Sequence, residues 1–374
     1  MADPGGGSHS TPNRLGTTLF SRAAGVAALI ALAPVTIYAA ANDDGATGAT
    51  TSPVPTTEVM SSGAHGAMTD PAVMVEIDDA LIPPPAPGRP GLFIGPAETE
   101  PEYTDGIGAF RINCSYSHMS YDDPIVYPGE PGASHLHIFF GNTDVDADST
   151  AESIRTTGDT TCTGGSANRS AYWVPAVIDT DTHEPVVPEG DNAVQVYYKT
   201  GYDGVPADQV TVMPEGLRMV SGDPTVTTPG DLSTVSYSCL GNRSVDAQPA
   251  FPECDPGDLF VMSVEFPQCW DGVNLDSPDH RSHMARAAAP DGCPASHPVA
   301  IPVITQNFRY TVPSSGMASW RLASDNYDGP AGYSGHADWF DGWDTDVFRR
   351  VVDNCLANGV DCHMNNLGDG ERLE

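Results

Sequence analysis

Leu259-Phe-Val-Met-Ser-Val-Glu-Phe266 is a short apolar run rich in β-branched and aromatic residues, the pattern of a strand buried in a sheet. On either side of it, Val194-Gln-Val-Tyr-Tyr198 and Phe308-Arg-Tyr-Thr-Val312 alternate apolar and polar positions, the period of a strand with one buried face. The 38 glycines and 34 prolines punctuate the chain too often for long elements. The expectation is a mainly β single domain, sandwich- or jelly-roll-like, with long loops, few helices and several disulfides. One helix stands out near the end. Val347, Phe348, Val351, Val352, Cys355 and Leu356 recur at helical spacing, with Asp344 as N-cap and Gly359 beyond the C-terminus.

Upstream, Arg14 and Arg22 precede an uncharged stretch from Ala23 that ends in Ala39-Ala40-Ala41. A positive start, a short apolar heart and a small-residue exit read as a secretory signal over residues 1–41. Pro34 and the limited apolar length disfavour an uncleaved anchor. Residues 42–90, rich in Pro, Gly and Thr, read as a linker, 91–367 as the folded domain and 368–374 as a tail. Cys114, Cys162, Cys239, Cys254, Cys269, Cys293, Cys355 and Cys362 all follow the export segment. An even count in an exported chain predicts disulfides, and pairing of sequence neighbours is the simplest connectivity, with the short Cys355–Cys362 loop first. None lies in a CxxC pair, so zinc ribbons and thioredoxin chemistry are not expected. The formal net charge of −34, with one lysine, Lys199, repels phosphate backbones and excludes nucleic acid as a partner. No later stretch is long and apolar enough to span a membrane. An address outside the cytoplasm narrows the expected partners to envelope or environmental polymers.

The densest polar stretch runs from Asn113 to Asn142 and contains His118, Tyr121, Asp122, Asp123, Ser134, His135 and His137. If Ser134 to Phe140 is a strand, its period of two puts His135, His137 and Phe139 on one face and turns Leu136, Ile138 and Phe140 to the core. Two imidazoles on one face can chelate a divalent metal or polarise a substrate oxygen. A second cluster holds Cys269-Trp270-Asp271-Gly and Asp279-His-Arg-Ser-His283, with a spacing that fits neither HExxH nor an EF-hand loop. His297 follows in a proline-rich segment. The fourth cluster, His336-Ala-Asp338-Trp339-Phe-Asp-Gly-Trp343, interleaves aromatic rings with carboxylates, a combination that suits sugar recognition or, equally, helix entry over a core. Gly332-Tyr-Ser-Gly335 is not a Gly-x-Ser-x-Gly elbow, so a serine nucleophile is unsupported.

These blocks resemble the DUF1996 family of secreted fungal and bacterial proteins with no assigned function. The resemblance covers about 110–362. It rests on Asp122-Asp-Pro-Ile-Val-Tyr-Pro-Gly-x-Pro-Gly, Ser134-His-Leu-His-x-Phe-Phe-Gly-Asn, Ser170-Ala-Tyr-Trp-Val-Pro-Ala, Cys269-Trp-Asp-Gly, Asp279-His-Arg-Ser-His, Cys293-Pro-x-Ser-His-Pro-Val and His336-Ala-Asp. It implies an extracellular domain, joined in some fungal members to carbohydrate-binding modules, and supplies no catalytic residue. One departure is the run Met284-Ala-Arg-Ala287, where the family pattern has a tyrosine soon after the methionine.

The reading that follows is a carbohydrate- or cell-envelope-active hydrolase. Its cleft would be lined by His118, Asp123, His135, His137, His283, His297, His336 and Asp338, with substrate contacts from Tyr121, Trp173, Trp270, Asp271, Trp339 and Trp343. In a metal-dependent variant, His135 and His137 are ligands. The alternative is a non-catalytic polysaccharide-binding or structural surface protein held to glycans by Trp270, Trp339 and Trp343. Convergence of the histidines in one place distinguishes these readings.

Overall fold

The alternating runs become paired strands in a computed structural model, which describes residues 75–374 apart from 105, 189 and 327. The signal segment and the linker up to residue 74 lie outside the described residues. Eight strands form the larger sheet, in the order Val245–Gln248, Val235–Leu240, Leu259–Glu265, Val303–Thr311, Val194–Lys199, Ala109–Cys114, Val360–Met364 and Glu102–Tyr103. Leu259–Glu265 lies inside this sheet, so its strand is covered on both edges, as its apolar run requires. The smaller sheet has five antiparallel strands, ordered Arg218–Gly222, His336–Phe340, Ala171–Pro175, His137–Gly141 and Tyr116–Ser120.

The two sheets share the main core. Ile112, Val196, Tyr198, Met262 and Phe308 of the larger sheet join Ile138, Phe140, Tyr172, Val174 and Trp339 of the smaller one in a single buried cluster. The opposite, outer face of the five-stranded sheet carries its own apolar patch, in which Phe139, Trp173, Val220 and Phe340 are covered by loop residues Ile125 and Val145 and by Ile154 of the short helix Ser153–Thr156. The fold is therefore mainly β and sandwich-like, as the sequence predicts. Phe140 faces the main core while Phe139 faces outward, the alternation anticipated for this segment.

The helix forms where its spacing predicts. Thr345–Val351 is α-helical and continues through a π turn, Val352–Leu356, and the Asp344 carboxylate accepts hydrogen bonds from the N–H groups of Asp346 and Val347. Gly359, at φ +62°, takes the left-handed conformation after the helix end. All eight cysteines pair as sequence neighbours, Cys114–Cys162, Cys239–Cys254, Cys269–Cys293 and Cys355–Cys362.

Two boundaries need correction. The folded body begins before residue 91: Val75 is buried in the main core, Ile77 and Ile82 pack against it, and the N–H groups of Ala86 and Arg89 donate to the carbonyls of Ser117 and Thr160. Three apolar side chains are enough to hold a segment whose composition otherwise reads as linker. The expected tail is also structured. Glu371–Leu373 pairs antiparallel with Ile94–Pro96, and only Leu373 turns inward, which leaves too short an alternation to detect.

The tryptophans are corrected as well. Trp339 and Trp343 are 0% and 2% exposed. The Trp343 indole N–H donates to the Tyr198 hydroxyl at 2.8 Å, and its ring packs against Phe110, Tyr198 and Phe348. Neither ring has a face free for a sugar: Trp339 is on the core side of the His336–Phe340 strand, and Trp343 fills the core at the entry to the helix. Trp343→Ala removes this anchor and is expected to cost about 3–5 kcal/mol in urea unfolding. A loss under about 1 kcal/mol would show that the ring is not packed as described.

Candidate metal centre

Three strands set the geometry of the polar cluster. Trp173 is the cross-strand partner of both Phe139 and Asp338, and Pro175 is the partner of His137. Following the period of two, His137 and His336 flank Pro175 on the outer face, about 10 Å apart across the intervening strand. Their imidazoles lean toward each other over it, with ring centroids 5.8 Å apart. His135 lies in the bend just before the His137–Gly141 strand rather than inside it, yet still reaches the same side. Its ring centroid is 4.3 Å from that of His137 and 5.0 Å from that of His336.

Two carboxylates close the cluster. Asp338 lies two residues beyond His336 on the same face, and Asp123 enters from the loop that covers it. One donor atom from each of His135, His137 and His336 falls within a 4.8 Å set, and so does one from each of Asp123, His137 and Asp338. The two sets share His137.

Hydrogen bonding fixes which atoms are available. His137 Nδ1 lies 3.0 Å from the Asp122 carbonyl and His336 Nδ1 lies 2.8 Å from the Ser334 carbonyl. A carbonyl only accepts, so both rings carry their proton on Nδ1 and present Nε2 as a lone pair, the arrangement that orients metal-bound imidazoles. Nε2 of His135, Nε2 of His137 and both carboxylate oxygens of Asp338 are buried without a hydrogen-bond partner. Asp123 Oδ1 accepts from the N–H groups of Ile125 and Val126, each at 2.9 Å, which leaves Oδ2 for the cluster. A group of orphaned acceptors in one dry site is costly unless a cation joins them.

Burial sets the protonation states. Loss of water holds the His137 imidazole down at about 4, and loss of water together with the nearby His137 holds His336 at about 3. Burial and its two histidine neighbours push His135 well below the usual range. All three rings are therefore neutral ligands near neutral pH. Burial drives Asp338 well above the usual carboxylate range, reinforced by the charge of Asp123, and burial also raises Asp123. A bound cation would reverse both carboxylate shifts. Three nitrogen donors with one or two carboxylates suit zinc, manganese, iron or copper rather than calcium or magnesium.

The remaining histidines do not join the centre. The ring of His118 stacks on Phe139 at 4.7 Å; its Nε2–H donates to the Val145 carbonyl, and its Nδ1 accepts from the Ser117 hydroxyl. His283 donates through Nε2–H to the Arg218 carbonyl and has Nδ1 2.9 Å from the Ser277 hydroxyl, and His297 donates to the Ser282 carbonyl and accepts from Ser296. With both ring nitrogens engaged, these three fix loops and have no lone pair to offer. Asp271 accepts from Val273, Asn274 N–H and the Asn274 amide, closing its own turn. The Trp270 indole N–H donates to the Asn274 carbonyl, and the Tyr121 hydroxyl donates to Asp79. Trp173 is buried against Phe139.

A cavity of about 390 Å³ lies beside the centre and was not anticipated. Gly222, Asp223, Arg281, Tyr333 and Gly335 are among its walls. Gly222 is the cross-strand partner of His336, so the wall beside that imidazole is bare backbone. Arg281 stood in plain view in the second cluster; the signal was a guanidinium in a strongly acidic chain.

The neutral His118 has a measurable consequence. Burial lowers its pKa, outweighing the Val145 carbonyl and the nearby aspartates. Below about pH 6.5 the unfolded chain takes up a proton that the folded His118 resists, so stability falls as pH drops from there toward the folded value. In chelator-treated protein, His118→Gln should flatten this decline below about pH 6.5, as read from urea unfolding across the acid range. An unchanged slope would mean that folded His118 is charged.

Comparison with known proteins returns one relationship. The family model for DUF1996, a domain of unknown function, matches residues 123–343, a span that begins at Asp123 and includes the three histidines and Asp338. No curated protein and no solved structure matches the chain. The match covers more than half of the 374 residues, and the chain belongs to the DUF1996 family.

Proposed function

We propose that this domain is a metal-dependent hydrolase acting on a carbohydrate or cell-envelope polymer outside the cytoplasm. The observation that carries this reading is the set of neutral imidazole lone pairs of His135, His137 and His336 meeting the unpartnered carboxylate of Asp338. A divalent ion held there would supply Lewis acidity and a water of lowered pKa. His137 and His336 would hold it through Nε2, with their rings fixed by the Asp122 and Ser334 carbonyls. Asp123, anchored through Oδ1, keeps Oδ2 free to accept a proton as general base.

Four disulfides support an extracellular setting, and no helix of the described residues is long and apolar enough to cross a membrane. Glycan binding through Trp339 and Trp343 loses its basis with their burial.

Metal analysis of protein purified without chelator is expected to find a divalent transition metal in stoichiometric amount. His137→Ala and His336→Ala should each weaken its retention by about 100-fold or more. Sugar release from cell-wall polysaccharide should stop on chelation and return with added metal. Wild-type protein that stays metal-free after incubation with zinc and manganese would overturn the reading. Separately, Asp123→Asn should keep the metal and slow turnover by about 10²–10⁴-fold. Full activity in that variant would remove Asp123 from the role of base.

A further inference from the structure

The cavity beside the centre contains a cation with no local partner. Twelve of the thirteen arginines among the described residues commit their guanidinium to an ion pair, a hydrogen bond or an aromatic ring. Arg155 does so with Glu215 and Asp341, Arg286 with Glu265, Arg169 with the Gly158 carbonyl, and Arg89 with the Phe93 ring. In a chain of net charge −34 that is the expected economy, because an acid is always near. Arg281 is the exception. Its backbone N–H bonds to Ser277 and Asp279, while its side chain, exposed at the cavity wall, makes no hydrogen bond, ion pair or ring contact among the described residues. Its charge acts at longer range on His336, Asp338 and Asp223. The residue before it, His280, holds a positive φ of 56° and is pinned to Asp276 at 3.0 Å, so the turn that presents Arg281 is fixed.

We infer that this cavity is a substrate site for an acidic saccharide, with Arg281 receiving the anionic group; the inference rests on the hydrolase reading for its place beside the centre. The walls specify the class of ligand. Pro249, Pro267, Met284 and the half-buried Tyr333 ring offer apolar surface to sugar C–H faces. Asp223, Asp231 and Thr234 offer partners for hydroxyl groups. A purely apolar ligand would leave the Arg281 guanidinium unpaired, and a dense polyanion would be repelled by the two aspartates and the acidic surface. A hydroxylated ring bearing one oxyanion satisfies all of them. The volume of about 390 Å³ falls among small-ligand sites, which span about 300–1,000 Å³. Arg281 is a specificity-determining residue in this scheme, since the guanidinium fork matches a carboxylate or sulfate.

Calorimetric titration of the full-length, metal-supplemented protein tests this with three probes: a galacto-oligosaccharide bearing a single uronate carboxylate, the same oligosaccharide bearing a single sulfate ester, and its neutral parent. At least one acidic probe is expected to bind about tenfold tighter than the neutral one, and Arg281→Gln should abolish that preference. Arg281→Lys should restore part of it, and metal content should be the same in all three proteins. Whichever acidic probe wins identifies the oxyanion as carboxylate or sulfate. Equal binding of acidic and neutral probes, no binding of either acidic probe, or an acidic preference that survives in Arg281→Gln would each overturn the assignment. An Arg281-dependent preference in protein that holds no metal would sink the hydrolase reading and leave the saccharide site standing.

Discussion

The centre depends on one constraint, the antiparallel register that places Ala171–Pro175 between His137–Gly141 and His336–Phe340. Because Trp173 is opposite both Phe139 and Asp338, a shift of either neighbouring strand by one residue would turn its polar side chains into the main core and its core side chains outward. The register is held by the core on the other face. Ile138, Phe140, Val174 and Trp339 fit against the larger sheet only in this alignment, so the apolar packing of one face determines the polar geometry of the other. The loop carrying Asp123 and Ile125 then completes the enclosure, with Ile125 seated in the outer apolar patch.

Enclosure gives the cluster its chemistry. The same loss of water that keeps three imidazoles neutral also penalises the Asp338 carboxylate, and the two effects have a common remedy in a cation. Hydrogen bonding separates this group from the other histidines more sharply than burial does. His283 is as buried as His336, yet both of its ring nitrogens are engaged. The same distinction explains why an inventory of histidines overstates a site: most of them serve the loops.

Much of this was legible in the sequence, and the limits have physical causes. The His137-Ile-Phe139 alternation carries its own orientation, since a period of two fixes the face once the strand is granted, whereas His135 reaches the same side from the bend before it. His336 and Asp338 follow the same rule. Their meeting with His137 is a contact across almost two hundred residues, which no local pattern encodes. The aromatic rings misled in the opposite direction. Trp339 and Trp343 sit among aspartates and glycines, as a sugar-binding loop would have them, but one alternates into the core and the other plugs the helix entry. The short Glu371–Leu373 strand and the Val75 contact were invisible because each relies on one to three apolar side chains in polar surroundings.

The disulfides follow a pattern with a kinetic meaning. Their sequence separations are 48, 15, 24 and 7, all short against the span from His137 to His336. Each covalent loop can therefore close by a local search, at modest entropic cost, before the sheets have assembled. None of them joins the His137–Gly141 strand to the His336–Phe340 strand. The long-range register of the centre is left to the slow, non-local pairing of the smaller sheet, so the polar cluster belongs to the last contacts that the chain acquires rather than to those its cysteines secure early.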